Sequence, residues 1–426
     1  MKRFALLLAA MFALAADWPQ YRGPNRDGSS KETGLLQEWP KDGPKLLWTF
    51  ADAGVGYAGP AIVGDRLYTA GGRGTDEFLF ALDLKTKGTP KELWSAKIGP
   101  LFTWKGNAWN AGPNVSPTAD GDSVYVLGGF GDLLCVEAAT GKEKWRVNLP
   151  RDLGAAVNPI GGGLEEPTPI GWGFASAPLV DGDKLICVPG GKQGLFAALD
   201  KKSGKVLWRS KEVGDQVSYS SPLVVEVGGI RQYVQVTNKG IVGVAAADGK
   251  LLWSYKREYE DVAIATPLFR DNFVYASVGF NEGCDLIKLI PKDGSIAVEK
   301  VYSSKEVQSR DGGVVLVGDH VFGHSEKGGW ACQDFKTGTV KWSEPGIGRG
   351  SVTFADGRLY CCAEKGGVVT LVEPSAEGWI EKGRFKLPTG SKKRLPSGGL
   401  WTHPVIANGR LYVRDQELVF CFEVKK

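Results

Sequence analysis

The chain lacks the sequence signatures of the common hydrolytic and metal-dependent enzymes. Its 426 residues contain three histidines and no Gly-x-Ser-x-Gly or His-Glu-x-x-His motif, which excludes the usual serine-hydrolase and zinc-protease patterns. There is no Cys-x-x-Cys-His, so no attached c-type haem is expected. His320 and His324 would lie about 13 Å apart along a strand, too far to share a zinc ion. We therefore predict no metal site.

The chain also lacks a large excess of charge of either sign. The formal net charge is +4, and the charged residues are scattered rather than clustered. Nucleic-acid binding normally requires a concentrated basic stripe, so no nucleic-acid partner is expected. After the first sixteen residues, no segment is long and apolar enough to suggest a membrane span.

The first sixteen residues predict an export signal. Lys2 and Arg3 precede an apolar run from Phe4 to Leu14, and Ala15 supplies the small residue that a signal peptidase needs. The run has about half of the roughly 20 residues that a membrane-spanning helix needs. No cysteine follows the cleavage point, so a lipoprotein is not expected. We expect a signal peptide at residues 1–16 and a periplasmic or secreted mature protein.

The abundant residues point to a repeat. The chain has 59 glycines, 23 prolines and 14 tryptophans, which recur in a unit of roughly 45 residues. In one copy, the apolar strand after Pro178 reaches the turn Asp181–Asp183, and the unit ends at Trp208 after a Ser-Gly-Lys turn. Asp-Gly and Asn-Gly turns are strong hairpin signals. Four antiparallel strands per unit are what one blade of a β-propeller requires.

Seven complete copies and two partial ones predict eight blades. The last copy starts at His403 and lacks its fourth strand, whereas residues 45–50 form a fourth strand without the first three. Pairing these ends would close the ring and hide the sheet edges. We predict an all-β, eight-bladed, monomeric propeller at residues 45–426, its last blade closed by the N-terminal strand, after an extension at residues 17–44. The tryptophans expected to wedge between blades are Trp48, Trp94, Trp145, Trp208, Trp253 and Trp342.

The stretch from Leu199 to Trp208 resembles the tryptophan-docking motif of the quinoprotein (PQQ-type) propeller family. The opening Trp18–Pro24 and the closing Trp401–Tyr412 are similar to those of exported bacterial PQQ-like repeat proteins. This family contains quinoprotein alcohol dehydrogenases and also propellers without a cofactor. The resemblance therefore implies the fold and leaves the function open.

Seven cysteines are an odd number for an exported protein. Cys135, Cys332 and Cys421 share a repeat position that alanine fills in other copies, which indicates tight packing. Cys361 and Cys362 are adjacent within one predicted strand, so their side chains should point to opposite faces. We interpret the cysteines as core residues and not as a disulfide against a cofactor.

The loops carry the remaining functional signal. Connections between blades share one face of a propeller with the loops that join second to third strands. Two connections are long, at about residues 95–115 and 146–176, the second with a glycine run at 161–163, and the connection 386–402 is basic. The candidate ligand- or partner-binding residues at this mouth are Trp104, Asn107, Trp109, Asn110, Trp172, Gln235, Arg310, His324, Arg349, Trp401, His403 and Arg414.

Aromatic and polar residues that converge on one mouth are typical of a binding site, and they would equally suit a structural cap on the channel. The leading hypothesis is an exported, non-catalytic propeller without a cofactor that binds a protein or envelope component through its loop-bearing face. The alternative is a PQQ-dependent alcohol or sugar dehydrogenase with calcium. Glycan binding, with the loop tryptophans as sugar platforms, is the third hypothesis.

Overall fold

The computed structural model describes residues 17–157, 171–257, 262–310 and 313–426. These ranges are nearly all β, and the one helix within them is α1 (Leu149–Leu153). No helix in this part of the chain is long and apolar enough to cross a bilayer. The glycine run at 161–163 lies outside the described residues.

The strands are short and follow one another with few interruptions. In chain order they are β1 (Leu46–Phe50), β2 (Ala61–Val63), β3 (Arg66–Arg73), β4 (Asp76–Asp83), β5 (Lys91–Pro100), β6 (Thr118–Asp120), β7 (Ser123–Leu127), β8 (Asp132–Glu137), β9 (Glu143–Asn148), β10 (Leu179–Asp181), β11 (Lys184–Cys187), β12 (Ala197–Asp200), β13 (Val206–Arg209), β14 (Leu223–Val227), β15 (Ile230–Thr237), β16 (Gly240–Ala245), β17 (Leu251–Lys256), β18 (Leu268–Arg270), β19 (Phe273–Val278), β20 (Gly283–Lys292), β21 (Ser295–Ser304), β22 (Val315–Val317), β23 (His320–Ser325), β24 (Gly329–Asp334), β25 (Val340–Glu344), β26 (Gly350–Ala355), β27 (Arg358–Ala363), β28 (Val368–Glu373), β29 (Ile380–Lys386), β30 (Val405–Ala407), β31 (Arg410–Asp415) and β32 (Leu418–Glu423).

The strands form eight four-stranded antiparallel sheets, each of which is one blade. Seven blades take four consecutive strands, from β2–β5 to β26–β29, whereas the eighth has the order β1-β32-β31-β30. In that blade Leu46 lies opposite Phe422, and Phe50 lies opposite Val419. The predicted eight-bladed propeller, with its last blade closed by the N-terminal strand, is confirmed.

The first strand of each blade lies innermost. Neighbouring blades contact each other through these short strands, as β2 does with β6 and β26 with β30. The turns from first to second strand are tight, and in the last blade Asn408 and Gly409 take φ values of 56° and 67° between the paired residues Ala407 and Arg410. Positive φ at both central residues is the geometry that favours Asn-Gly in a two-residue hairpin.

The tryptophans that end the fourth strands hold adjacent blades together. The indole N–H of Trp94 donates to the carbonyl of Ala138 at 3.2 Å, and that of Trp145 donates to Lys201 at 3.0 Å, in each case in the next blade. A Cβ added to Gly141 would lie 2.5 Å from the Trp94 ring. The turn glycines that leave room in this way for a ring of the preceding blade are Gly141, Gly204, Gly249 and Gly338.

The other aromatic residues at the ends of fourth strands do not all bond to the next blade. The Tyr302 hydroxyl donates to Phe335 in the next blade at 3.1 Å. The indole of Trp253 instead donates to Gln232 of its own blade at 2.5 Å. The rings of Trp48, Trp208 and Trp342 pack against Tyr412, Tyr233 and Trp379.

All seven cysteines are free and buried. Cys361 packs in one hydrophobic cluster with Phe322, and Cys362 packs in another with Tyr360. The two adjacent side chains thus lie on opposite faces of β27, as the strand pattern predicts. Their role as small core residues is confirmed.

Candidate functional site

Residues 17–44, here called the N-terminal segment, first contact the inner strands around the central channel and then pass to the outer strand β29, where the backbone N–H of Trp39 donates to the carbonyl of Lys382 at 2.8 Å. The backbone of Trp18 exchanges two hydrogen bonds of 2.8 Å with Ile62 on the inner strand β2. Ala119 in β6 donates to the carbonyl of Pro19 at 2.8 Å. The segment thus begins as an additional element against the inner strands of two blades.

Arg26 ties the same segment to two further blades. Its guanidinium donates to the carbonyls of Ala177 and Pro178 at 3.1 and 2.6 Å, and to Pro222 at 2.8 Å. The side chain is almost wholly buried, and burial lowers the pKa of Arg26 to about 9. A buried cation is tolerated here because several carbonyl oxygens replace its hydration shell.

The remaining contacts reach the other side of the ring. Arg22 donates to Val314 at 2.6 Å, just before β22. Ser30 donates through its backbone N–H to Phe354 at 2.8 Å and through its hydroxyl to Ile406 at 2.9 Å. With these bonds the N-terminal segment reaches the innermost strand, or the residues just before it, in seven of the eight blades.

Above this segment lies a cavity of about 170 Å³, which is space for on the order of ten water molecules. Its walls come from the connections between blades, and so it faces the loop-bearing side of the propeller, here called the loop face. The residues that line this central cavity are Trp18, Tyr21, Arg22, Tyr57, Gly59, Trp109, Asn110, Asn114, Val115, Ser116, Trp172, Ala175, Tyr219, Ile264, Arg310, Trp401, Thr402, His403 and Val405.

One repeat position supplies much of the wall. In six blades the residue three positions before the proline that precedes the inner strand lines the cavity. These residues are Tyr57, Asn114, Ala175, Tyr219, Ile264 and Trp401. The same backbone register therefore directs side chains of different sizes to one central space.

Aromatic pairs dominate the wall. The rings of Tyr57 and Trp401 lie 4.9 Å apart between centroids, and those of Trp172 and Tyr219 lie 5.1 Å apart. These separations are typical of favourable aromatic pairs. The Tyr57 hydroxyl also donates to the backbone carbonyl of Trp109 at 3.0 Å, which links two connections across the mouth.

The amide side chains of the wall bond mainly to one another and to the backbone. Asn107 donates to the carbonyl of Asn110 at 2.7 Å and accepts from the backbone N–H of Trp109 at 3.0 Å. Asn110 and Asn114 each donate to the carbonyl of Trp172, at 3.0 and 2.9 Å. These amides fix the shape of the long connection and join it to the following one.

Two arginines place positive charge at the cavity. Arg22 lies in the floor, and Arg310 lies in the wall, where it pairs with Glu326 at 3.3 Å and stacks 4.6 Å from the ring centroid of Phe280. Among the lining residues in the described ranges there is no aspartate or glutamate. The described wall is thus aromatic with a positive bias.

Half of the predicted mouth residues meet at this cavity. Those that line it are Trp109, Asn110, Trp172, Arg310, Trp401 and His403. Three others support it from outside. Asn107 orients Asn110, as described above, and the indole of Trp104 donates to the carbonyl of Gly171 at 3.0 Å. Arg349 lies 3.6 Å from Glu364, whose carboxylate also accepts from the indole of Trp401 at 2.8 Å.

The other three predicted residues lie on second strands, away from the lining. Gln235 is fully buried and donates to the carbonyl of Ser220 at 2.7 Å. His324 lies edge-on to Trp330, with ring centroids 5.9 Å apart. Burial, and to a smaller extent the positive charge of Arg349, lowers the pKa of His324 to about 4.

Arg414 is the third of these residues and lies wholly inside the protein. It donates to the carbonyls of Ala53 and Gly54 at 3.2 Å, Ala70 at 2.6 Å and Gln416 at 2.9 Å. Burial lowers the pKa of Arg414 to about 9. Its side chain joins the last blade to the first and does not line the central cavity.

Several residues that line the cavity were not predicted from the sequence. Tyr57 and Tyr219 occupy the repeat position described above, and comparison of the residues before each inner-strand proline could have found them. Trp18, Tyr21 and Arg22 lie outside the repeat, so periodicity carries no information about where they fold.

A buried carboxylate anchors the long connection that carries Trp109. The two oxygens of Glu77 accept from the backbone N–H groups of Phe102 at 3.1 Å and Gly129 at 3.0 Å. Burial raises the pKa of Glu77 to about 7, although the two backbone hydrogen bonds act in the opposite direction. Position 77 was not among the predicted residues because nothing in the repeat distinguishes it.

The donor set does not fit a calcium-bound quinone in this cavity. Calcium needs six to eight oxygen ligands, mainly carboxylate and carbonyl. The amide oxygens of Asn110 and Asn114 already accept hydrogen bonds from Asn107 and Asn110. Within the described ranges there is also no cluster of three or more histidine, cysteine, aspartate or glutamate residues suited to a metal.

Comparison with known proteins identifies relatives of the repeat. A family model described as outer membrane protein assembly factor BamB matches residues 81–344. The chain is 24% identical to the outer membrane protein assembly factor BamB of Burkholderia pseudomallei over 282 residues, which are 62% of this chain and 62% of that protein. The match thus spans less than two thirds of that relative's length.

Solved structures share the architecture. BamB from Moraxella catarrhalis aligns with a TM-score of 0.57 and 17% identity, over 89% of this chain and 98% of that one. The quinohemoprotein alcohol dehydrogenase from Comamonas testosteroni aligns with a TM-score of 0.60 and 13% identity, over 96% and 80%. At such identities these two likenesses show the fold alone.

Proposed function

The chain belongs to the BamB family of PQQ-like repeat propellers, and from this premise we propose that it is an exported, non-catalytic propeller that binds a protein of the cell envelope through its loop face. The relatives' name, outer membrane protein assembly factor, supports a role in the envelope. The apolar run that ends at Leu14, followed by Ala15, supports export.

The observation that carries the proposal is the asymmetry of the channel. On one side it is filled by the N-terminal segment, whose polar groups bond to the inner strands. On the loop face, the aromatic rings of Trp109, Trp172 and Trp401 are half-buried and line a concave space with part of their surface. Exposed aromatic residues around a concavity mark interaction sites on soluble proteins.

A quinoprotein dehydrogenase is less well supported. The cavity walls could stack a planar ring, but they do not supply the oxygen ligands that a calcium-bound quinone needs. The described lining residues also contain no carboxylate that could act as a general base. We therefore argue only the binding function.

Site-specific photo-crosslinking in living cells tests the proposal. A photoreactive residue at Lys105 or Lys393, both exposed on connections of the loop face, is expected to yield an adduct with one defined envelope protein. The same residue at Asp183 or Asp293, exposed in turns on the opposite face, serves as the control. Adducts formed equally from both faces would contradict the proposal.

Export has its own test. Replacing Ala13 and Ala15 by bulky residues removes the small side chains that a signal peptidase recognises. We expect an uncleaved precursor to accumulate, as measured by mass spectrometry of the purified chain. Normal processing in this variant would count against the assignment of residues 1–16.

A further inference from the structure

The central cavity is blind. Trp18, Tyr21 and Arg22 of the N-terminal segment form its floor, and the segment's hydrogen bonds to the inner strands hold that floor in place. A polymer therefore cannot thread through the propeller at this point. What enters from the loop face must be a small molecule, a chain end or a single side chain.

The polar groups of the wall are largely committed to the protein itself. Asn110 and Asn114 donate to the carbonyl of Trp172, and the Tyr57 hydroxyl donates to the carbonyl of Trp109. The Tyr219 hydroxyl accepts from the backbone N–H of Trp172 at 2.9 Å. The wall thus offers ring faces and edges far more than hydrogen-bonding groups, which favours an occupant without many hydroxyl groups.

We propose that this cavity receives one aromatic side chain of the protein that docks on the loop face. The inference rests on the proposed function and adds the chemistry of the contact. Aromatic rings pack offset or edge-to-face on other rings, and a ring can also stack on the guanidinium of Arg310. The positive charges of Arg22 and Arg310 disfavour a cationic side chain. Aromatic anchors in desolvated pockets commonly dominate the affinity of protein interfaces.

The residues at one repeat position influence the size of the cavity. Tyr57, Tyr219 and Trp401 fill their positions with large rings, whereas Ala175 holds the same position with a methyl group. Of these four positions, Ala175 therefore takes up the least of the cavity's space. A larger residue at position 175 would project into it.

The test uses the purified mature chain and small probes. Binding of N-acetyl-L-tryptophanamide is measured by saturation-transfer NMR and by fluorescence. Binding of cellobiose and of PQQ is measured in the same way for comparison. We expect the tryptophan amide to bind and both other probes to bind at least about tenfold more weakly. Tighter binding of cellobiose would instead indicate a glycan site, and tighter binding of PQQ a quinone site; either result would overturn the inference.

Variants locate the binding. Trp109→Ala removes a half-buried ring from the cavity wall and is expected to weaken binding of the tryptophan amide about tenfold. Trp379→Ala removes a half-buried tryptophan on the opposite face and should change it less than about twofold. Ala175→Leu keeps every ring and fills the cavity, so it should also weaken binding. Melting curves verify that each variant is folded.

The outcomes separate this inference from the proposed function. One outcome is that cross-links form from the loop face while the tryptophan amide does not bind, or binds equally to the Ala175→Leu protein. In that case the aromatic anchor is wrong, and the proposal that a protein docks on the loop face is retained. If the amide binds as expected but no adduct forms from the loop face, the proposed protein partner fails, and the anchor inference that rests on it fails too.

Discussion

The two ends of the central cavity are built from different kinds of contact. In the N-terminal segment, which supplies the floor, Trp18 and Arg26 are buried. Backbone hydrogen bonds fix Trp18 to the inner strand β2, and the buried guanidinium of Arg26 bonds to residues just before the inner strands of two other blades. At the mouth, Trp109 and Trp401 are half-buried, and Arg310 is held by one ion pair and one ring. The floor thus stabilises the ring, whereas the mouth retains surface that another molecule can cover.

The largest difference is expected between two tryptophans. Trp18→Ala removes a buried ring from the cluster that contains Phe80 and Tyr412, which should lower the free energy of unfolding by about 5 kcal/mol. Trp109→Ala removes a half-buried ring and should lower it by about 2 kcal/mol. Denaturant unfolding of both variants measures this difference. Equal losses would show that the mouth is part of the stabilising core.

Two arginines provide the next comparison. Arg26→Met leaves the carbonyls of Ala177, Pro178 and Pro222 without their donor, and we expect a loss of about 4 kcal/mol in the free energy of unfolding. Arg310→Met should cost no more than about 1 kcal/mol, because its ion pair is partly solvated. Denaturant unfolding of the two arginine variants measures this difference. A small effect of Arg26→Met would mean that the N-terminal segment is not a required floor.

Glu77 makes the anchoring of the mouth sensitive to pH. Its folded-state pKa of about 7 lies above its ordinary value, so the folded protein binds this proton more tightly than the unfolded chain does. The resulting stability is present at low pH and is lost as pH rises through 7. Relative to Glu77→Gln, the native protein should lose about 3 kcal/mol between pH 5 and pH 8. Thermal unfolding at several pH values measures this. A difference between the two proteins that does not vary with pH would contradict it.

The smallest effect concerns the junctions that carry both ends. Trp145→Phe deletes the indole N–H that donates to Lys201 and should lower the free energy of unfolding by about 1 kcal/mol. Trp208→Phe is the matched control, since its indole nitrogen is buried without a hydrogen-bond partner in the described part of the chain. We expect that substitution to be nearly neutral. The opposite order would mean that ring packing, and not the hydrogen bond, dominates the junction.

The blades could be predicted from the sequence because they repeat. The turn residues, the terminal tryptophans and the unpaired ends are local or periodic signals, and they predict eight blades and the closure by β1. The packing role of the cysteines follows from the same periodicity, since Cys361 and Cys362 alternate on one strand. For this reason the fold could be predicted without knowledge of any contact between distant residues.

The mouth was predictable only in part. Trp109, Trp172 and Trp401 lie on long connections, which the sequence displays. Gln235 and Arg414 share one register at the ends of second strands, yet their side chains bond to buried carbonyls. Whether a polar side chain there faces solvent or the interior depends on the neighbouring blade, which the repeat unit does not contain.

Hairpin turns and strand alternation act over a few residues, so the local pattern of the chain is enough to specify the blade, its number of copies and the way the ring closes. The floor formed by the segment from Trp18 to Ser30, and the single cavity that seven connections share, depend instead on contacts between distant parts of the chain. Those contacts join residues that are as many as 376 positions apart. They exist only in the closed ring and have no counterpart in the local pattern.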